Sequence, residues 1–155
     1  MSEKYLHIYN ILINFTRNKE LYQHLKRDDD FSDRLSIFLL HFSFFLKNFK
    51  NDKNKKILQE IYDFNFRQLE LSIREIGYGD QSINKKMKEY INLFHSMVSE
   101  IHFWNNLNRP DKLKIISTFL DPLGNNEKLL DYFDDFNNNL SKKNLNFYLK
   151  SVSNP

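Results

Sequence analysis

Apolar residues recur along this chain at intervals of three and four, and Gly and Pro divide the pattern into helical segments. Leu6, Tyr9 and Ile13 predict a first helix over 3–16. Leu21, Tyr22 and Leu25 mark a short second one over about 19–27, and Asp28, Asp29 and Asp30 then read as a loop. Ser32 is placed to cap a third helix over about 33–49, with the stripe Leu35, Phe38/Leu39, Phe42, Phe45/Leu46, Phe49. A polar connection from Lys47 to Lys56, with five Lys and one Asp, leads to a fourth helix over about 54–76. Its inward positions are Ile57/Leu58, Ile61/Tyr62, Phe66, Leu69 and Ile73, and Gly77 suits a left-handed cap.

Asp80 or Ser82 starts a fifth helix that runs to about Asn105, with Ile83, Met87, Tyr90, Phe94, Met97 and Ile101 inward. Pro110 fits the first turn of a sixth helix, which ends near Leu120 before Pro122 and Gly124. Leu129, Leu130, Phe133 and Phe136 mark a seventh. Asn137 to Asn139 read as a break, and Ser141 as the cap of a last short helix carrying Leu145, Tyr148 and Leu149. The fold class is all-α: a single-domain helical bundle of about six to eight helices over 1–150, centred on 33–105. Residues 151–155 read as a frayed tail.

The third helix is apolar nearly all round, because Ile37, Leu40 and Phe44 lie off its stripe. Such a helix is central in its bundle or partly given to a partner. The central position is favoured, with some of these three side chains expected at the surface as a patch for a partner. If all three are buried, attention passes to Phe103, Trp104 and Leu107.

Composition narrows the chemistry. The 155 residues include 15 Phe and 8 Tyr, which calls for a large aromatic core or an apolar partner surface. There is no Cys, so no disulfide, thiol nucleophile or thiolate zinc site is available. Only 3 Gly and 3 Pro leave no room for a Gly-rich phosphate loop. A net charge of +3 is too small to imply a nucleic-acid-binding protein, and no DNA partner is expected. The chain has no Ala and is rich in Asn, Lys, Ile and Phe, which reads as nucleotide bias rather than function. No targeting signal is read at the N-terminus, and the longest apolar stretch, Ile37 to Leu46, is too short to span a bilayer.

Catalytic and metal chemistry find no support. His95 and His102 share a helix face but are seven apart, without the i, i+4 pairing of a zinc helix, and all five His read as core-edge or surface residues. No strand-turn-helix elbow surrounds any Ser, and Asp134 and Asp135 read as solvated. No enzyme, metal or cofactor is expected. Two basic clusters remain, Lys47–Lys56 and the trio Lys85, Lys86 and Lys88. Each reads as a solvated surface or a contact for phosphate or anionic headgroups. The trio sits where the helix dipole disfavours cations, and so invites a functional reading.

The most specific segment is 60–94. Ser72-Ile73-Arg74-Glu75, Gly77, Gly79-Asp80, Ser82-Ile83, Lys85, Lys88 and Phe94 resemble the hallmark of the ubiquinol–cytochrome c chaperone family. That hallmark is a helix ending in Leu-Arg-Glu-x-Gly-Val-Gly-Asp, followed by a basic helix. Upstream, Leu21-Tyr22, Asp33-Arg34-Leu35 and His41 are similar to further family positions, so the likeness covers about 20–94. Tyr78 stands in place of a Val, Gln68 and Glu70 in place of two Asp, Asn84 in place of a Gly, and His95-Ser96-Met97 in place of Tyr-Gly-Arg.

Physically, Gly77 and Gly79 allow a sharp reversal, and Asp80 can accept amide hydrogen bonds at the next helix start. A corner alone explains the glycines. It explains Arg74, Glu75, Asp80, Lys85 and Lys88 less well, and a corner that is also a binding surface stands beside it as an equal reading. The resemblance implies a non-enzymatic assembly factor for respiratory complex III that binds newly made cytochrome b, with the ribosome, a small helical protein or the membrane periphery as further contacts. The absence of a recognisable presequence favours a bacterial cytoplasm, at the inner face of the membrane, with a trimmed protein of the mitochondrial matrix as the alternative. The rival is a generic helical adaptor or ribosome-associated RNA binder. The partner-binding candidates are Arg74, Glu75, Gly77, Gly79, Asp80, Lys85 and Lys88 at the corner, with Ile37, Leu40 and Phe44 on the third helix.

Overall fold

The computed structural model describes residues 2–22, 31–120 and 125–150, and every regular element among them is helical. The order is α1 (Ser2–Thr16), α2 (Lys19–Tyr22), α3 (Phe31–Phe49), α4 (Lys55–Ile76), α5 (Asp80–Ile101), α6 (Arg109–Leu120), α7 (Asn126–Ser141) and α8 (Leu145–Lys150). A 3-10 turn at Trp104–Asn106 stands between α5 and α6, where the sequence had extended the fifth helix to about Asn105. Leu25, the Asp28–Asp30 loop, Pro122, Gly124 and the tail after Lys150 lie outside the described residues.

Helix α3 is the axis of the bundle and meets α1, α5, α6 and α7. That placement corrects the expected surface on it. Ile37, Leu40 and Phe44 are all fully buried. Neighbours on every side absorb the whole apolar circumference, so none remains for a partner. The Phe44 ring meets Trp104 edge-on at 5.0 Å and stacks on Phe133 at 5.6 Å. Burial of each such side chain contributes roughly 1.5–3 kcal/mol.

His41 also lies in this core rather than at its edge. Its Nδ1 is 2.8 Å from the Ile37 carbonyl and its Nε2 is 2.7 Å from the Tyr132 hydroxyl. A carbonyl only accepts, so Nδ1 carries the proton and Nε2 accepts from Tyr132. The Phe133 and Phe136 rings close around it at 4.9 and 4.7 Å. Burial pushes the His41 pKa down to about 4, against partial opposition from the Ile37 carbonyl.

Helix ends follow short polar side chains. α3 begins at Phe31, so Ser32 lies inside the first turn and is not its cap. Asn108 accepts from the Asp111 amide at 2.9 Å, Asn125 from the Lys128 amide at 3.2 Å, and Asn144 from the Phe147 amide at 2.9 Å. Asn144, not Ser141, therefore caps α8, and Ser141 ends α7.

The expected break at Asn137–Asn139 is absent because Asn137 faces inward. Its Oδ1 accepts from Asn48 at 2.8 Å and its amide donates to Asn105 at 2.8 Å, while Leu140 continues the buried stripe. Asp134 is not simply solvated. It accepts from the Trp104 indole at 2.8 Å and from Lys112 at 3.0 Å. No helix among the described residues is long and apolar enough to cross a membrane.

Candidate functional site

The helical corner between α4 and α5 gathers most of the residues singled out in the sequence. Gly77 has φ 106°, a left-handed conformation that stops α4, and its amide donates to the Arg74 carbonyl at 3.0 Å. A side chain there would be strained although nothing crowds the position. Gly79 has φ −75° with extended ψ, which any residue adopts, so only one of the two glycines is needed for the reversal.

Asp80 opens α5, where its charge suits the helix dipole. Its carboxylate makes no capping bond and instead accepts from Arg74 at 3.0 Å. Arg74 also reaches Glu70 at 3.7 Å. These are exposed pairs, which solvent screens, so they add little to stability. Asp80, more than Glu70, holds the Arg74 guanidinium above its ordinary pKa.

The corner is also where apolar surface is left uncovered. Leu71, Ile76 and Tyr78 are 47%, 51% and 41% exposed. Three large exposed apolar side chains fall within eight residues here, while the others among the described residues, Leu6, Phe103 and Phe147, stand apart from one another in the chain. Lys86 lies over the Tyr78 ring at 5.7 Å. Lys85 and Lys88 are exposed. Over residues 70–89 four acidic side chains balance four basic ones, so the corner is amphoteric rather than basic.

Beside it, α1, α3 and α4 enclose a cavity of about 400 Å³ that opens to the surface. Asn65, Leu69 and Ser72 line it from α4 at i, i+4 and i+7. Ile76, at i+11, continues the same helix face out to the corner. From α3 come Arg34 and Leu35, which lie in the family-like Asp-Arg-Leu run. Tyr9 lines the cavity from α1; burial raises its pKa, and the Ser72 hydroxyl opposes that rise. Sequence reasoning had named neither the cavity nor Asn65. The available signal was a polar residue in an inward register, between Ile61 and Leu69.

The other candidates fall elsewhere. Lys47, Lys50 and Lys55 line a separate cleft of about 820 Å³ together with His95 and His102. His95 bonds the Tyr62 hydroxyl at 3.1 Å. No cluster of three metal-ligating side chains occurs among the described residues. Of the alternative apolar trio, Phe103 is 59% exposed, Leu107 is half-buried and Trp104 is fully buried, so they do not form one patch.

Comparison with known proteins gives one assignment. The family profile described as ubiquinol-cytochrome C chaperone matches residues 23–102, just over half of the chain, and contains the α4–α5 corner and the α3 and α4 walls of the cavity. No curated protein and no solved structure matches the chain.

Proposed function

From the premise that this chain belongs to the ubiquinol-cytochrome C chaperone family, we propose that it serves the assembly of respiratory complex III by holding newly made cytochrome b. The membership carries the chaperone role, and the corner carries the choice of surface. The single observation behind that choice is the exposure of Leu71, Ile76 and Tyr78 inside the matched region, ringed by exposed charge. An apolar segment of an unassembled membrane protein finds contact there while charged groups keep the surface hydrated. The holding role needs no bond making, so no catalytic group is assigned.

The work is placed where cytochrome b enters the membrane, at the cytoplasmic face of a bacterial inner membrane or, as the alternative, in a mitochondrial matrix. Lys85 and Lys88 then meet acidic groups of the client, the ribosome or lipid. The rival, an RNA-binding adaptor, draws on those same lysines. The balanced charge of 70–89 disfavours it, since polyanion binding rests on excess positive charge. Affinity purification from the native host tests the proposal. Cytochrome b should be enriched and should survive a high-salt wash, because apolar contact weakens little with salt. Recovery of RNA without cytochrome b, released by salt, would replace this proposal with the rival.

A further inference from the structure

The Lys47–Lys56 run, five Lys against one Asp, has no part in the surface assigned to the client. It joins α3 to α4 and contributes one side of the cleft of about 820 Å³. That volume lies within the range of small-molecule sites, roughly 300–1,000 Å³. Lys47, Lys50 and Lys55 line the cleft, and Asp52 is the one carboxylate in its lining. Leu46, Leu58, Phe94 and Val98 supply apolar wall. Lys47 is half-buried, and its amine donates to the neutral Asn137 side chain at 3.4 Å. Burial, then the charge of Lys112, hold its pKa below the usual value, although Lys112 itself pairs with Asp134 at 3.0 Å. A cation drawn into the protein is costly without an opposite charge. α4 begins at Lys55 with no side-chain cap and no acidic residue in its first turn, so the helix dipole adds to the positive field at this end. Beside the cleft, Phe103 is 59% exposed, with its ring against that of the lining residue His102 at 4.6 Å.

We infer that this cleft takes an anionic phospholipid from a membrane surface, with the phosphate among Lys47, Lys50 and Lys55 and the start of an acyl chain on Leu58, Phe94 and Val98. The lining calls for both halves of such a ligand. A free phosphate would leave the apolar wall in water, and a hydrocarbon would leave three ammonium groups without an anion. Lys53 and Lys56, exposed in the same run, and the exposed Phe103 ring add the cations and the aromatic group that an anionic lipid interface attracts. The 22 residues of α4 run from Lys55 at the cleft to Ile76 at the corner, so the two surfaces lie about 30 Å apart along it. A lipid held at one end of the α4–α5 hairpin leaves the other end free for the client.

The test is flotation of the full chain with vesicles of phosphatidylcholine alone and of equal parts phosphatidylcholine and phosphatidylglycerol. The chain should float with the second and not with the first. Lys50→Gln with Lys55→Gln, both exposed, should melt as the parent does and bind the anionic vesicles roughly thirtyfold more weakly, since each Lys at such a surface is worth about a factor of five. Lys114→Gln with Lys128→Gln removes the same charge from exposed positions outside the cleft, and should bind within about twofold of the parent because distant charges are screened. In calorimetry, dihexanoyl phosphatidylglycerol below its micelle concentration should bind the parent, and inorganic phosphate at the same concentration should not. Equal losses in the two lysine pairs would make the binding a general charge effect and overturn the assignment. Equal binding of phosphate and lipid would overturn it in favour of a phosphate site. A parent chain that floats with neither vesicle, or equally with both, also overturns it, whether or not the chain takes up an acidic peptide or RNA. None of these results touches the chaperone reading, which recovery of cytochrome b tests separately.

Discussion

Helix α3 and the α4–α5 corner handle apolar residues in opposite ways. α3 has more of them than one face can use, and the bundle buries all of Ile37, Leu40 and Phe44. The corner has few, set among charges, and leaves Leu71, Ile76 and Tyr78 at the surface. Surplus hydrophobicity in a sequence therefore marks the centre of a bundle when enough helices surround it. At the corner, by contrast, a forced turn and the local charge pattern leave apolar side chains outside, and the proposed client surface lies there. The comparison predicts a separation: changes in α3 should act through stability, and changes at the corner through binding.

The largest effect should come from Phe44→Ala. Removing a ring packed on Trp104 and Phe133 should cost about 3–5 kcal/mol, read as a lower denaturation midpoint. Any loss of client should follow the loss of fold. A corner substitution of equal stability cost would blur the distinction.

The next effect is acid sensitivity at the same core. His41 stays neutral in the fold because burial lowers its pKa from 6.5 to about 4. The unfolded chain takes up a proton between those values and the folded chain does not. The His41 contribution is thus fully present above pH 6.5 and is lost as pH falls toward 4, by about 3 kcal/mol in all. In His41→Gln the fall in melting temperature between pH 6.5 and 4.5 should be much shallower than in the parent.

Smaller effects sharpen the corner. Gly77→Ala should destabilise by about 1 kcal/mol through its positive φ, while Gly79→Ala should be neutral or slightly stabilising. Equal responses at the two glycines would contradict the observed turn. Replacing both Lys85 and Lys88 by Glu should leave the melting temperature nearly unchanged, since α5 starts at Asp80 and both side chains are exposed beyond its first turn, where the helix dipole has little reach. The same double variant should reduce complex III assembly in cells. Normal assembly would make these lysines a merely solvated face.

Much of this was legible in sequence because it was local. Stripes of spacing three and four located α1 and α3 to α7, and Gly77 announced its own conformation. The failures share two causes. Asn was discounted as compositional bias, and so the caps at Asn108, Asn125 and Asn144 and the inward-facing Asn137 went unread. Long-range pairing was invisible for another reason. His41 meets Tyr132 from 91 positions away and Trp104 meets Asp134 from 30, and no local period encodes such partners. The cavity belongs to the second class, since α1, α3 and α4 each supply part of its wall.

The central claim is that the corner binds cytochrome b without being needed for the fold. It is tested most directly by purifying the chain with Ile76→Ser and Tyr78→Ser from the native host and quantifying the cytochrome b that accompanies it. Both side chains are about half exposed, so stability should stay within about 0.5 kcal/mol of the parent. The account predicts a folded chain that has lost most of its cytochrome b. A folded double variant that recovers as much cytochrome b as the parent would contradict it.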